Sequence, residues 1–239
     1  MYKERKYRQW VKSEGLVTFE VKELETDLLI SAVRDLEGAA REAMLNYRQD
    51  IESYIKGHRD FFTSLEPVEV DKNASEIVKA MADAGSRAGV GPMAAVAGAV
   101  AEFVGRGLLQ LSDEIIVENG GDIFIRSAFP RVIGVYAGER SPFTGKIAIE
   151  IPPAGQGVGV CTSSGTVSHS LSFGKADAVL IISDNTALAD AAATAAGNAI
   201  KGPGSIEKGI DIARSIKGVD GVLILAGDKM GSWGKIKIV

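Results

Sequence analysis

The spacing of hydrophobic residues near the start of the chain predicts a strand followed by a long helix. Residues Leu16 to Val21 alternate between apolar and polar side chains, as a half-buried strand does. After them, apolar residues recur at steps of three or four, which is the period of an amphipathic helix. These residues are Leu29, Val33, Leu36, Ala40, Met44, Tyr47, Ile51 and Tyr54. Thr26 or Asp27 is the predicted cap of this helix.

The rest of the chain alternates between short strands and helices of small residues. Strands are predicted at Val68–Val70, Glu114–Val117, Ile123–Arg126, Val132–Tyr136, Lys146–Ile151, Gly157–Cys161, Val179–Ile182, Val222–Leu225 and Ile236–Val239. Helices are predicted at Ala74–Ala84, Pro92–Leu109, Thr186–Ile200 and Ser205–Ile216. The pattern predicts an α+β (mixed α/β) protein with largely antiparallel sheets packed against helices.

No Pro/Ser-rich linker and no fixed-period repeat divides the chain. We therefore expect a single domain over residues 16–239, preceded by a basic arm or edge strand at residues 1–15. The arm interleaves basic and aromatic side chains, a pattern that could suit single-stranded nucleic acid. The formal net charge of −4 instead favours a solvated arm and no nucleic-acid partner.

Two segments, residues 88–111 and 176–200, are apolar enough to suggest membrane spans, but charged residues interrupt both. We expect buried elements of a core and no membrane partner. The single cysteine, Cys161, has no disulfide partner within the chain, and no secretion signal follows Met1. These features favour a cytoplasmic location.

The first candidate for chemistry is the turn that contains Asn119, Gly120, Gly121 and Asp122. Two adjacent glycines let the backbone adopt φ > 0 or approach a ligand closely. Asn-Gly is also a strong signal for an ordinary hairpin turn, so a purely structural role is the alternative.

The second candidate is a hydroxyl-rich loop that leaves a predicted strand and ends at His169, one of two histidines in the chain. Its preceding members are Thr162, Ser163, Ser164, Gly165 and Thr166. Hydroxyls and exposed amides suit a phosphate, and histidine suits proton transfer near neutral pH. A solvated turn with an incidental histidine explains the same residues.

The third candidate is a pair of oxygen-bearing side chains, Asp190 and Thr194, on the predicted helix at Thr186–Ile200. Their four-residue spacing places both on one face of that helix, one turn apart. Hard oxygen ligands of this kind suit Mg²⁺ together with phosphate oxygens. An aspartate near a helix start also stabilises the helix dipole without any metal.

In their order and content, these three segments resemble the hallmarks of the ApbE superfamily of FAD-dependent flavin transferases. The family's Asn-x-Gly-Gly-Asp-like turn is similar to residues 118–122, and its Thr-Ser-Gly loop followed by His is similar to residues 162–169. Its late Ala-Asp-Ala-x-Ala-Thr helix is similar to residues 189–194, the most specific of the three matches. The likeness extends over residues 16–239 and is closest to a short, uncharacterised branch of the superfamily.

The resemblance implies that Asp190 and Thr194 hold Mg²⁺, that the Asn119–Asp122 turn borders the flavin nucleotide, and that His169 assists the reaction. It implies FAD as substrate or ligand, a threonine of an acceptor protein as nucleophile, FMN transfer and AMP release. Cleavage of the FAD pyrophosphate is the related activity.

The sequence also departs from the family. After His169 the chain continues Ser-Leu-Ser-Phe-Gly, where standard members have Ile-Ile-Asp-Pro, and the early Met-Gly-Thr strand is replaced by Leu16-Val17-Thr18. A non-catalytic module that binds a flavin or another phosphorylated small molecule is therefore the alternative. The Gly/Ala-rich helix at Pro92–Leu109 is free to pack within the domain or against a second copy in a homodimer.

Overall fold

The computed structural model describes residues 13–165 and 174–239 of the chain. Most of the predicted N-terminal arm, residues 1–12, lies outside the described residues. So do residues 166–173, which include Thr166 and His169 of the predicted loop.

Eight strands form one large sheet in the order β1-β2-β3-β4-β7-β8-β9-β10, and every neighbouring pair is antiparallel. Two further strands, β5 and β6, form a separate antiparallel pair. The bounds are β1 Val17–Glu23, β2 Thr26–Ala32, β3 Ile115–Asn119, β4 Asp122–Ser127, β5 Arg131–Gly134, β6 Ala148–Ile151, β7 Ala154–Ser163, β8 Ala178–Ser183, β9 Val219–Ala226 and β10 Lys229–Gly234. The predicted α+β class with largely antiparallel sheets is confirmed.

Within residues 13–165 and 174–239, six α-helices are inserted between these strands. Their bounds are α1 Glu37–Gly57, α2 Arg59–Thr63, α3 Glu76–Ala88, α4 Val96–Leu108, α5 Thr186–Ala199 and α6 Ile206–Ser215. Short 3-10 turns at Pro92–Ala95 and Pro203–Ser205 lead into α4 and α6. The first four helices lie between β2 and β3, and the last two lie between β8 and β9.

Both faces of the large sheet are covered. The helices pack on one face, where Val117, Phe124 and Ile181 are buried. The β5–β6 pair packs on the other face, where Ile116, Ile125 and the residues of β6 form a second core. Since consecutive strand residues point to opposite faces, strands buried on both sides read as continuous apolar runs, as at Val179–Ile182.

The prediction for the first sixty residues was partly wrong. Residues Thr26–Ala32 were assigned to the start of a helix, but they form β2, which pairs with both β1 and β3. The helix begins later, at Glu37. Over a few residues, the same apolar spacing fits both the helical period of about 3.6 residues and the strand period of two residues. Hydrogen bonds to two neighbouring strands therefore decide that this segment is a strand.

Two other strand predictions were also wrong. Residues 68–70 form no strand, and the last strand is β10 at Lys229–Gly234, earlier than the predicted Ile236–Val239. In that tail, Ile238 makes a single bridge to Ile149 of β6. Short apolar alternations were therefore weaker signals than the longer buried runs.

Among the described residues, none of the helices is by itself long and apolar enough to cross a membrane. Residues 76–88 and 92–108 together meet that criterion of length and composition, but they are bent by 105° relative to one another.

Helix α4 lies very close to the sheet because of a glycine. A Cβ atom added to Gly105 would lie 2.3 Å from a ring carbon of Phe124, which is completely buried. Gly107, two residues further along α4, has space: its added Cβ would meet nothing nearer than the Tyr47 hydroxyl at 3.7 Å.

We expect Gly105→Ala to destabilise the protein by about 1–3 kcal/mol, because the methyl group overpacks the Phe124 ring. Gly107→Ala is the matched control, and we expect it to be neutral or to stabilise by up to about 1 kcal/mol through helix propensity. The free energy of unfolding in urea measures both. Equal effects of the two substitutions would show that α4 does not rest on Phe124.

Candidate active site

A two-residue turn joins β3 to β4 and presents Asp122. Asn119 and Asp122 are cross-strand partners, so Gly120 and Gly121 form the turn, with φ values of 69° and 108°. Such angles are typical of the primed hairpin turns that favour glycine. The amide of Gly121 donates a hydrogen bond of 2.8 Å to the carboxylate of Glu118, which fixes the turn from the inside.

The turn lies against the end of β7. The backbone amide of Thr162 donates to the Asp122 carboxylate at 3.3 Å, and Asp122 is buried. The neighbouring Cys161 is fully buried, and its thiol donates to the backbone carbonyl of Thr186 at 3.4 Å. Cys161 therefore links β7 to the start of α5.

Helix α5 presents Asp190 to the start of α4. The amide of Gly98 donates a hydrogen bond to the Asp190 carboxylate at 2.9 Å. Burial raises the pKa of this carboxyl, and the hydrogen bonds from the Gly98 and Ala97 amides act in the opposite direction. The side chain of Asn119 donates to the carbonyl of Ala97 at 3.1 Å. The first turn of α4 therefore contacts both the glycine turn and α5. Thr194 lies one turn beyond Asp190 and is half-buried.

The pKa values of both aspartates are raised. Burial raises the pKa of Asp122 well above its ordinary value, and the negative charge of Asp190 raises it further. Part of Asp190 is accessible to solvent, but burial still raises the pKa of its carboxyl to about 7, against the effect of the Gly98 and Ala97 amides. Burial also raises the pKa of the Cys161 thiol, so this thiol is protonated at neutral pH.

These groups fit a hard divalent cation. Carboxylate and hydroxyl oxygens are the ligands that Mg²⁺ prefers, and a cation at Asp122 and Asp190 would relieve the repulsion between the two carboxylates. Within residues 13–165 and 174–239, no three His, Cys, Asp or Glu side chains are grouped as a metal site. An ion at Asp122 and Asp190 would therefore need hydroxyl, carbonyl, water or phosphate oxygens as well.

The described part of the hydroxyl-rich loop continues from β7. Thr162 and Ser163 end that strand, Ser164 is buried, and the amide of Gly165 donates to the carbonyl of Ala176 at 3.0 Å. A Cβ on Gly174 would lie 2.0 Å from the carbonyl oxygen of Gly197 in α5. The described residues Gly165 and Gly174 therefore lie next to one another beside α5.

The structure brings together the predicted turn at Asn119–Asp122, the strand end at Thr162–Gly165 and the helix with Asp190 and Thr194. Sequence reasoning did not identify the Ala97 and Gly98 amides of this region, nor the Glu102 carboxylate of α4, which accepts a hydrogen bond from the Thr186 amide at 2.7 Å. The small residues of the predicted helix at Pro92–Leu109 were the available signal, because they allow close approach of another helix.

Solved structures that share this arrangement of helices and strands include ApbE proteins. The flavin transferase ApbE from Vibrio cholerae aligns with a TM-score of 0.59 over 94% of this chain and 97% of that one, at 13% identity. The ApbE protein of Thermotoga maritima aligns with a TM-score of 0.60 over 90% of this chain and 96% of that one, at 16% identity. The protein therefore has the ApbE fold.

Sequence comparison gives the family. The model of the family described as AbpE bacteria matches residues 8–217, and the chain belongs to this family. The UPF0280 protein of Methanococcus aeolicus is 43% identical over 202 residues, which are 82% of this chain and 81% of that protein. The UPF0280 protein of Methanocaldococcus jannaschii is 45% identical over 202 residues, with 82% of each chain covered. The predicted membership of an uncharacterised ApbE-like branch is confirmed.

The raised pKa of Asp190 predicts a pH-dependent stability. The folded protein holds the proton up to about pH 7, whereas an unfolded aspartate releases it near pH 4. The stability gained from this proton is complete below pH ~4 and is lost as the pH rises to about 7. In metal-free buffer, we expect Asp190→Asn to gain about 1 kcal/mol or more relative to the unaltered protein between pH 4.5 and 8.

The measurement is the free energy of unfolding of both proteins across this pH range. Asp211→Asn, at an exposed position of α6, is the control and should follow the unaltered protein throughout. Parallel curves for Asp190→Asn and the unaltered protein would contradict the assigned pKa.

Proposed function

We propose that this protein is a Mg²⁺-dependent enzyme that acts on FAD, transferring FMN to an acceptor protein or cleaving the FAD pyrophosphate. The observation that carries the proposal is the convergence of Asp122 and Asp190, from β4 and α5, at the end of β7. A buried carboxylate beside a half-buried one is costly unless a proton or a cation relieves the charge. The ApbE fold supports the choice of a flavin nucleotide as substrate.

Asp190 and Thr194 are the proposed metal-binding residues, and Asp122 joins them from the glycine turn. Asp190 has acceptor capacity left beside its bonds to the α4 amides, since a carboxylate can accept about four hydrogen bonds. Bound Mg²⁺ would neutralise charge on the pyrophosphate oxygens of FAD. The open backbone at Gly120 and Gly121 leaves space beside this position, because a Cβ on Gly120 would meet no atom within 4 Å.

The hydroxyl-rich loop is proposed to bind the phosphates and to move the proton. Thr162, Ser163, Ser164, Gly165 and Thr166 supply hydroxyls and amides, and His169 accepts the proton of the attacking hydroxyl. A threonine oxygen of the acceptor forms a new bond to the FMN phosphorus. The bond from that phosphorus to the bridging oxygen breaks, and AMP leaves. With water in place of threonine, the products are FMN and AMP.

The second candidate is a module that binds a flavin or another phosphorylated small molecule without reaction. The observation in its favour is the sequence Ser170-Leu171-Ser172-Phe173 directly after His169, which lacks the acidic and proline residues of the standard family. This module would use the same turn and the same loop, so release of AMP separates the two candidates.

We expect Mg²⁺ to increase the affinity of the purified protein for FAD and to support AMP release. Asp190→Asn should lower the apparent Mg²⁺ affinity by about tenfold or more, because it removes one charged ligand. Asp211→Asn on α6 is the matched control and should leave binding and AMP release unchanged. Quenching of flavin fluorescence measures binding, and chromatography of nucleotides measures AMP.

The outcomes separate the candidates. FAD binding without AMP, with or without an acceptor peptide that contains threonine, would support the binding module. Mg²⁺ affinity that is equal in Asp190→Asn and the unaltered protein would contradict the proposed metal site. Absence of FAD binding at millimolar Mg²⁺ would contradict both the enzyme that acts on FAD and the module that binds a flavin.

A further inference from the structure

The N-terminus of α5 is bound by a carboxylate from another helix. Glu102 of α4 is buried, and its Oε2 accepts hydrogen bonds from the Thr186 amide at 2.7 Å and the Ala187 amide at 3.4 Å. The next amide, of Leu188, donates to the side chain of Asn185 at 2.7 Å. Three of the amides that a helix leaves without internal partners at its start therefore have acceptors.

The N-terminus of α4 is bound in turn by a carboxylate from α5. No side chain of the local sequence caps this helix, and its Gly98 amide donates instead to Asp190 of α5. Gly98 and Glu102 are one turn apart on α4, and Thr186 and Asp190 are one turn apart on α5. Each helix thus supplies one carboxylate to the start of the other, across an antiparallel contact.

Because α4 and α5 are closely packed, these hydrogen bonds are sensitive to movement of α5 along α4. A Cβ on Gly98 would lie 2.5 Å from the carbonyl oxygen of Thr186 and 2.8 Å from the Cβ of Asp190. A shift of α5 by one residue moves it by about 1.5 Å, which is enough to break both sets of hydrogen bonds. The position of Asp190 along α4 therefore depends on the bonds that Glu102 makes to Thr186 and Ala187.

We propose that Glu102 is a positioning residue, which holds α5 in the register that places Asp190 opposite Asp122. Glu102 acts on the site through α5, and its link to a metal site rests on the proposed function. The other oxygen of Glu102 accepts from the Nε of Arg106 at 2.8 Å, so its charge is also paired within α4.

Glu102→Gln tests this role with almost no change of shape. A glutamine has one acceptor oxygen, so it cannot accept from both the α5 amides and Arg106, and its NH₂ group meets a donor on one side. We expect faster hydrogen exchange at the Thr186 and Ala187 amides and also at the Ala97 and Gly98 amides, by about fivefold or more. We also expect the affinity for Mn²⁺, used as a paramagnetic probe of the metal site, to fall by about tenfold.

Ile149→Val is the control for a general loss of stability. Ile149 is buried in the core on the opposite face of the sheet, and this substitution costs about 0.5–1.5 kcal/mol. It should change neither Mn²⁺ affinity nor relative exchange at the four amides. NMR of the unaltered protein and both variants gives the exchange rates, and electron paramagnetic resonance gives free Mn²⁺.

Each result decides a separate point. Faster exchange confined to Thr186 and Ala187, with unchanged Mn²⁺ affinity, would overturn the positioning role and leave Glu102 as a local cap. If the unaltered protein binds no Mn²⁺, the proposed function fails. Exchange at Ala97 and Gly98 then decides alone whether Glu102 holds the register: faster exchange supports it, and unchanged exchange overturns it.

Discussion

The contact between α4 and α5 is the interaction on which the candidate site depends. At Gly98 the two helices approach so closely that no side chain fits between them. Backbone amides at both helix starts are consequently held away from solvent and need acceptors. Glu102 and Asp190 supply them, each from the opposite helix. The same packing that covers one face of the sheet thereby fixes the position of the carboxylate that the proposed chemistry uses.

This arrangement has an electrostatic cost. Asp190 is stabilised by amides of α4, yet burial still raises the pKa of its carboxyl to about 7, and its negative charge in turn raises the pKa of Asp122. Asp190 alone is sufficient to accept the hydrogen bonds at the start of α4. The Asp122 carboxylate, directed inward by the Gly120–Gly121 turn, adds repulsion that a proton or a cation must relieve. In the proposed function, a bound cation provides this relief.

The fold and the family restrict the possible chemistry, but they do not identify the reaction. At 12–16% identity, the likeness to solved flavin transferases establishes the arrangement of helices and strands. The relatives at 38–45% identity share the family of this chain. Function depends on the individual residues, and this sequence departs from the standard family both at Leu16-Val17-Thr18 and directly after His169. The proposed function uses the segment around His169 together with Asp122, Asp190 and Thr194.

The sequence by itself determined the α+β class, most helices, the strands with long apolar runs and the three segments of the candidate site. Local patterns suffice for these, because a buried strand, a helix of small residues or a two-glycine turn is encoded by neighbouring residues. The tertiary structure alone decided that Thr26–Ala32 is a strand, because its partners include residues about ninety positions away. It also decided that Asp122 lies near enough to Asp190 for the Asp190 charge to raise its pKa, and that Glu102 accepts a hydrogen bond from the Thr186 amide. These pairs join residues distant in sequence, and only the packing of α4 and α5 side by side on one face of the sheet brings them together.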